Sequence, residues 1–534
     1  MVRKVMKLLL AFILLLSPFM YVPLSSATTL EPRPIEREST ATGTGGAAAS
    51  LDPRATNVAI EILEEGGNAI DAAVGAAAML GLVRPYDGSI GGDGYMVIYL
   101  ADEKRTVTID SRSMAPANFD VKAFRELSTS EGRAQSVGVP GLVRGWELAL
   151  NEFGTMDFSE VLAPSIAEAE GGFLVDQAYR DRTASNLSKF LDFTSSREYY
   201  LTEDLGVPEV GDIVYNPDLA NTYRLIAVGG ADAFYEGPIA EAIVEAVTNP
   251  PVAEGRNLDL TPSTMNLADL ASYNALLKEP TRHRYRGYEI MSVGGSSTGG
   301  ATIGQILNIM QGFESENRDE VLHNYIEASR IAFADRATYI GTSPNWEGAV
   351  RVVDAPLDGV MSKTFAAHRR QLIGSEAIQG TVPPGDPFAY DPDSSGSPNL
   401  IDYPGGESPY TSTTHLTVSD RHGNVVSYTF TIVSIGGSGI AVPGYGFLLN
   451  NVLIGSVPPP DPGERGGRPY SNTAPTIVFQ GSRPVMALGG PGSAQIIAAV
   501  SQILVNHIDF DMDLKDALAA PRLSNTGPGL TTSV

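Results

Sequence analysis

Apolar and polar positions change their period repeatedly along the chain. Ala55–Glu65 carries its apolar residues at helical spacing, and Gly66-Gly67 stops the run. Ala69–Leu82 is Ala-rich and nearly all apolar, the pattern of a buried helix. Tyr95–Leu100 and Thr106–Ile109 read as strands, with Asp102-Glu103-Lys104 as the polar turn between them. Gly141–Glu170 is helical again, and a mixed stretch follows to about residue 280. Tyr288–Val293 reads as a strand, Thr302–Gly312 as a helix and Val321–Tyr339 as a longer amphipathic helix.

The pattern then breaks. Between Gly380 and Ser412, 21 of 33 residues are Pro, Gly, Ser or Asp, a composition that predicts a mobile segment without a core. Regularity returns at once. Thr413–Ser419 and Val425–Thr431 are β-rich runs flanking Arg421-His422-Gly423-Asn424, which predicts a hairpin. Further strands are expected at Thr476–Phe479 and Val485–Leu488, and a buried helix at Gln495–Val505. No internal repeat is visible.

Composition narrows the class. The chain has 534 residues, 43% of them hydrophobic, which suits a packed globule. Its formal charge of −25 and lack of basic runs argue against nucleic-acid binding. With no cysteine, disulfides, thiolate nucleophiles and Cys-based metal sites are excluded. Residues 1–27 have the form of a secretory signal: basic Arg3, Lys4 and Lys7, the apolar run Leu8–Leu16, and small residues Ser25-Ser26-Ala27. Pro18 and Pro23 disfavour a retained membrane anchor, and Asp71 interrupts the later apolar stretch Ala69–Val83. The expectation is an exported protein whose mature charge is −28.

Most catalytic motifs are missing. There is no His-Glu-x-x-His, no P-loop lysine and no EF-hand loop, and the six scattered histidines lack metal-ligand spacing. Gly295-Ser296-Ser297-Thr298-Gly299 matches the nucleophile-elbow pattern, so Ser297 with His415, His422 or His507 is one serine-hydrolase reading. A glycine-rich strand-to-helix turn is the blander one. Tyr410-Thr411-Ser412-Thr413-Thr414-His415 is the stronger candidate. A threonine at a chain's own N-terminus can use its free α-amine as base, so an internal Thr413 needs prior cleavage after Ser412. If the hairpin turn centres on His422, Thr413 pairs with Thr431, with Cβ atoms roughly 5 Å apart, so Thr431 could orient the Thr413 hydroxyl. Threonine is also simply a good strand residue.

At these residues the chain resembles the γ-glutamyltransferase (glutathione hydrolase) family of N-terminal-nucleophile (Ntn) hydrolases. The likeness runs through Glu65-Gly66-Gly67-Asn68-Ala69-Ile70-Asp71-Ala72-Ala73, Ser89-Ile90-Gly91-Gly92-Asp93-Gly94, Arg112-Ser113-Met114-Ala115-Pro116 and Val139-Pro140-Gly141. It continues in Ser296-Ser297-Thr298-Gly299-Gly300, Ala334-Asp335-Arg336, Thr413-Thr414-His415, Leu448-Leu449-Asn450-Asn451, Ala474-Pro475-Thr476 and Gly489-Gly490-Pro491-Gly492. The resemblance implies an α+β, four-layer αββα sandwich made as one precursor. It implies self-cleavage between Ser412 and Thr413 into a large chain of about 28–412, ending in the mobile 380–412 tail, and a small chain of 413–534. The two chains would stay together as a heterodimer.

The implied activity is γ-glutamyl transfer and hydrolysis, on glutathione and other γ-glutamyl amides, through an ester on Thr413 that water or an acceptor amine resolves. Carried over by residue, Thr413 is nucleophile and base, Thr431 orients it, and the Gly492 and Ser493 amides form the oxyanion hole. Arg112 pairs with the substrate α-carboxylate, beside Ser471 and Asn472, where the family has a Ser-Ser pair. No metal or organic cofactor is implied.

Three departures fall where the family holds the glutamyl α-amine. Val433 replaces an acidic or amide residue, Val452 a Gln or Glu, and Gly455 an aspartate. Each charge-assisted hydrogen bond left unmade costs about 1.5–3 kcal/mol. A self-processing amidase for an acyl group lacking that amine is therefore a second expectation. The family also continues beyond Ala519-Ala520-Pro521-Arg522 with further strand and helix. An absent edge element could impair maturation, which gives an inactive exported relative as a third.

Overall fold

Tyr95, Val97 and Tyr99 alternate with Met96, Ile98 and Leu100, and the fold buries both sets. A strand apolar on both faces must lie between two layers. In the computed structural model, which describes residues 40–340, 350–353, 356–391, 399–402, 411–455, 457, 460, 463–525, 527 and 532–533, those layers are a second sheet and a helical sheath.

The strands of the two main sheets are β1 (Gly46–Ala49), β2 (Asp93–Leu100), β3 (Arg105–Asp110), β4 (Leu276–Lys278), β5 (Thr281–Tyr285), β6 (Tyr288–Ser292), β7 (Thr411–Asp420), β8 (Val425–Ser434), β9 (Thr476–Gln480) and β10 (Arg483–Leu488). The first sheet runs β1-β7-β8-β2-β3-β4 and the second β10-β9-β6-β5, each antiparallel throughout. Between them Tyr95, Val97 and Tyr99 meet Met291, Val293, Ile477 and Phe479. Helices α1 (Pro53–Glu64), α2 (Ala69–Val83), α3 (Leu142–Phe153) and α4 (Phe158–Gly171) share a core with the outer face of the first sheet. Helices α5 (Gly299–Met310), α6 (Arg318–Tyr339) and α7 (Gln495–Ile508) cover the second. The architecture is the αββα sandwich, an α+β fold.

Two expectations change in detail. The helical reading of Gly141–Glu170 divides into α3 and α4 around Gly154. Asp71 of α2 explains the break: its fully buried carboxylate accepts from Thr155 N (2.9 Å), Thr155 Oγ1 (2.6 Å), Met156 N (3.2 Å) and Asn68 N (2.8 Å). A Cβ on Gly154 would stand 2.7 Å from Asp71 Oδ1, so the chain needs glycine there. Asp71→Ala removes the shared acceptor of these donors and the charge-assisted bonds they make to it, and a loss of about 3 kcal/mol is expected. A lower urea midpoint at unchanged slope is the readout.

The second change concerns the Pro- and Gly-rich segment. Its first part, Gly380–Asp391, makes packing contacts with α6. Val382 is buried, Gly385 N donates to Asp335 Oδ1 at 2.7 Å, and Arg369 joins Pro383 O (2.7 Å) to Asp335 (3.0 Å). Composition could not reveal this, because a buried carboxylate on a distant helix provides the attachment. Residues 392–398 and 403–410, like the signal-like residues 1–27, lie outside the described residues. Among the described residues, no helix is long and apolar enough to cross a membrane.

Candidate active site

The hairpin β7–β8 sets the geometry. Asp420 holds its turn, with Oδ1 accepting from His422 N (2.9 Å) and Asn424 N (3.0 Å), and Gly423 adopts φ +91°. From Ser419↔Val425 to Thr414↔Phe430 the strands keep one register. At Ser412↔Val433 the register has moved by one residue, so the irregularity falls on Thr413. Such bulges bend a strand and re-aim side chains.

At that bulge four polar groups converge. Thr413 Oγ1 lies 2.7 Å from Ser412 O and 3.3 Å from Thr431 Oγ1. Thr431 Oγ1 donates to the same Ser412 O at 2.5 Å and accepts from Val433 N at 2.7 Å. A hydroxyl has one hydrogen and two acceptor positions, so a full set of partners fixes its direction. Val433 adopts φ +78°, a strained conformation for a β-branched residue, and this conformation presents its N–H to Thr431. On the other side the Ser412 hydroxyl donates to Asp87. Asp87 is buried, which pushes its carboxyl up despite Ser412 and the Arg182 guanidinium 3.8 Å away.

The ladder continues sideways. Thr431 on β8 faces Asp93 on β2, and β2 runs beside β3, whose C-terminal extension carries Arg112. Arg112 Nη1 meets Asp93 Oδ1 at 2.8 Å, while its Nε and Nη2 donate to Pro469 O (2.9 Å) and Tyr470 O (3.2 Å). Burial opposes the Arg112 charge, but Asp93, Tyr95 and Asp110 together outweigh it and its pKa is raised. These bonds bring in the segment carrying Ser471 and Asn472. Ser471 Oγ lies 3.1 Å from Thr473 Oγ1; Asn472 accepts from Arg336 and donates to Ser493 Oγ at 3.3 Å. Gly492 (φ +122°) and Ser493 (φ +54°) form the turn into α7. Thr413, Thr431, Arg112, Ser471, Asn472, Gly492 and Ser493 thus belong to one connected region.

The serine-hydrolase alternative finds no histidine. Ser297 Oγ donates to Thr473 O at 2.6 Å. His415 bonds Thr429 Oγ1 at 2.8 Å, His507 bonds Met512 O at 2.7 Å, and His422 sits by Arg421. Burial pushes the His415 imidazole down to about 3.

The three departures are also located. Val433 and Val452 share one apolar cluster with Ala115, Leu453 and Val457, and Gly455 ends the short turn Val452–Ile454. Asp87 and Asp93 are the site residues that sequence reasoning missed. The signal for Asp93 was a charged residue opening an otherwise apolar strand.

Comparison with known proteins decides the family. A profile described as Gamma-glutamyltranspeptidase matches residues 55–532. The chain belongs to that family. The chain is similar to the glutathione hydrolase proenzyme of Bacillus subtilis (strain 168), 34% identical over 498 residues, covering 90% of this chain and 81% of that one. An acylase ACY 1 proenzyme from Pseudomonas sp. (strain SE83) is 33% identical over 531 residues, covering 95% and 86%. The crystal structure of cephalosporin acylase from Bacillus halodurans superposes with a TM-score of 0.76 at 25% identity, covering 95% and 87%. This gamma-glutamyltranspeptidase relative is therefore an enzyme on the Ntn-hydrolase fold, with glutathione hydrolases and acylases at similar identity.

Proposed function

We propose that the chain cuts itself between Ser412 and Thr413 and then acts as an amidase or acyl transferase with Thr413 as nucleophile. The geometry at the Ser412 carbonyl carries this reading: Thr413 Oγ1 lies 2.7 Å from its oxygen, and Thr431 donates to the same oxygen at 2.5 Å. In maturation Thr413 Oγ1 bonds to the Ser412 carbonyl carbon, the C–N bond breaks, and the hydroxyl proton passes to the departing nitrogen. Water hydrolyses the resulting ester, leaving a Ser412 carboxylate and a free Thr413 amine. That amine then takes the Thr413 hydroxyl proton as Oγ1 attacks a substrate amide. Main-chain N–H groups of Gly492 and Ser493 hold the oxyanion. The substrate amine leaves with the proton, and water or an acceptor amine resolves the ester.

The two products would stay together as a heterodimer. Strand β8 and, from Thr413 onward, β7 would come from the small chain, yet they lie between β1 and β2 of the large one. Separation would break two ladders inside one sheet. The composition of residues 1–27 supports export of the precursor.

Two acyl groups fit the machinery. Relatives that are glutathione hydrolases support γ-glutamyl amides, with Arg112, Ser471 and Asn472 at the α-carboxylate. The apolar cluster holding Val433 and Val452 favours an acyl group without the α-ammonium. Rates on γ-glutamyl-p-nitroanilide and glutaryl-p-nitroanilide separate these readings, since the substrates differ only in that amine. The lost acceptors predict at least tenfold higher kcat/KM for the glutaryl compound. Preference for the γ-glutamyl compound would restore the first reading. No turnover of any anilide by cut, folded protein would leave an inactive relative.

A further inference from the structure

Arg112 is buried with an acid already beside it. Its guanidinium and the fully buried Asp93 carboxylate form one ion pair at 2.8 Å, and two further N–H groups are held by the Pro469 and Tyr470 carbonyls. The neighbouring charges are matched as well. Lys278 lies 3.0 Å from Asp110, and Arg468 lies 2.7 Å from Glu464. The other Asp93 oxygen, Oδ2, is buried and has no hydrogen-bond partner among the described residues.

We infer that Asp93 is a specificity-determining residue which occupies Arg112 and selects acyl groups whose far end carries no carboxylate. The inference rests on Thr413 being the nucleophile and names the acyl class that Thr413 would receive. Register supplies the geometry. Thr413 meets Thr431 at 3.3 Å across the β7–β8 bulge, Thr431 pairs with Asp93 on β2, and Asp93 holds Arg112 just beyond the end of β3. An acyl chain bound as an ester on Thr413 and extended toward Arg112 therefore brings its far end to Asp93. A carboxylate there would share one guanidinium with a second carboxylate that cannot reach water. Like charges sharing a buried site oppose each other's ionisation. A methyl terminus meets no such opposition, and the cluster of Ala115, Val433, Val452 and Leu453 offers it apolar surface. Specificity here would come from the rejected group as much as from the accepted one.

Glutaryl-p-nitroanilide and pentanoyl-p-nitroanilide test this, because they match in length and differ in a terminal carboxylate against a methyl. Cut wild-type enzyme is expected to favour the pentanoyl compound at least tenfold in kcat/KM. Asp93→Asn keeps an oxygen acceptor for Arg112 and removes the negative charge, so the ratio should fall at least tenfold toward the glutaryl compound. Asp93→Ser, which is small and neutral, should move it the same way if the charge is responsible. A wild-type preference for glutaryl, or a ratio unmoved in a cut, active Asp93→Asn or Asp93→Ser enzyme, overturns the inference while leaving Thr413 as nucleophile. An uncut chain, or turnover of either anilide that survives Thr413→Ala, overturns the nucleophile reading and this inference with it.

Discussion

Thr413→Ala is expected to leave the precursor as one uncut chain without amidase activity. Wild-type protein should give two masses meeting at Ser412/Thr413, and the variant a single mass. The reason is that one oxygen serves twice. Thr413 Oγ1 lies beside the Ser412 carbonyl, the proposed cleavage point in the precursor, and it is the proposed acyl carrier afterwards. No neighbour can substitute: Thr431 directs its hydrogen to Ser412 O, and the Ser412 hydroxyl is committed to Asp87. Loss of a nucleophile that also supplies its own base should lower turnover by at least about 10^3-fold. Thr413→Ser, which keeps the hydroxyl, should still be cut. Ser297→Ala should be cut and active, because Ser297 donates to Thr473 O and has no histidine beside it. Cleavage at the same bond in Thr413→Ala, or activity lost in Ser297→Ala, would reverse the assignment.

The hairpin was legible because its signals are local. Period-two runs flank a turn containing glycine, and symmetry about His422 brings residues 413 and 431 opposite each other. The bulge was not legible, since it depends on Val433 taking φ +78° within the folded sheet. A β-branched residue gives no sequence sign of that conformation. Asp93 escaped for a related reason. Its meaning comes from two ladders that set Thr431 and Arg112 on either side of it, and these strands lie far apart in sequence. The contacts of the Pro- and Gly-rich segment were likewise invisible in its composition, because Gly385 and Pro383 are bound through Asp335 and Arg369. Short-range periodicity therefore carried the individual elements and the hairpin, while the layers and the choice of Thr413 came from the family resemblance. Long-range charge pairing, as between Asp93 and Arg112, needed the fold.

Thr431→Ala should slow maturation by about 10²–10³-fold, the usual cost of losing one donor to a developing oxyanion. The Thr431 hydroxyl has a single hydrogen and gives it to Ser412 O at 2.5 Å, the oxygen on which negative charge builds when Thr413 attacks. The substitution also removes the acceptor of Val433 N, and with it the bond that offsets strain at that residue. The bulge could then relax and carry Thr413 away from the carbonyl. Thr431→Ser separates the two contributions, because it restores the hydroxyl without the methyl. The serine variant is expected to mature at close to the wild-type rate if the hydroxyl is what matters. Time courses of intact mass after inducing expression, with all three proteins at one pH, give the rates directly. Equal rates for wild type and Thr431→Ala would place the oxyanion donor elsewhere. Slow maturation in both variants would show that the threonine methyl holds the bulge in shape.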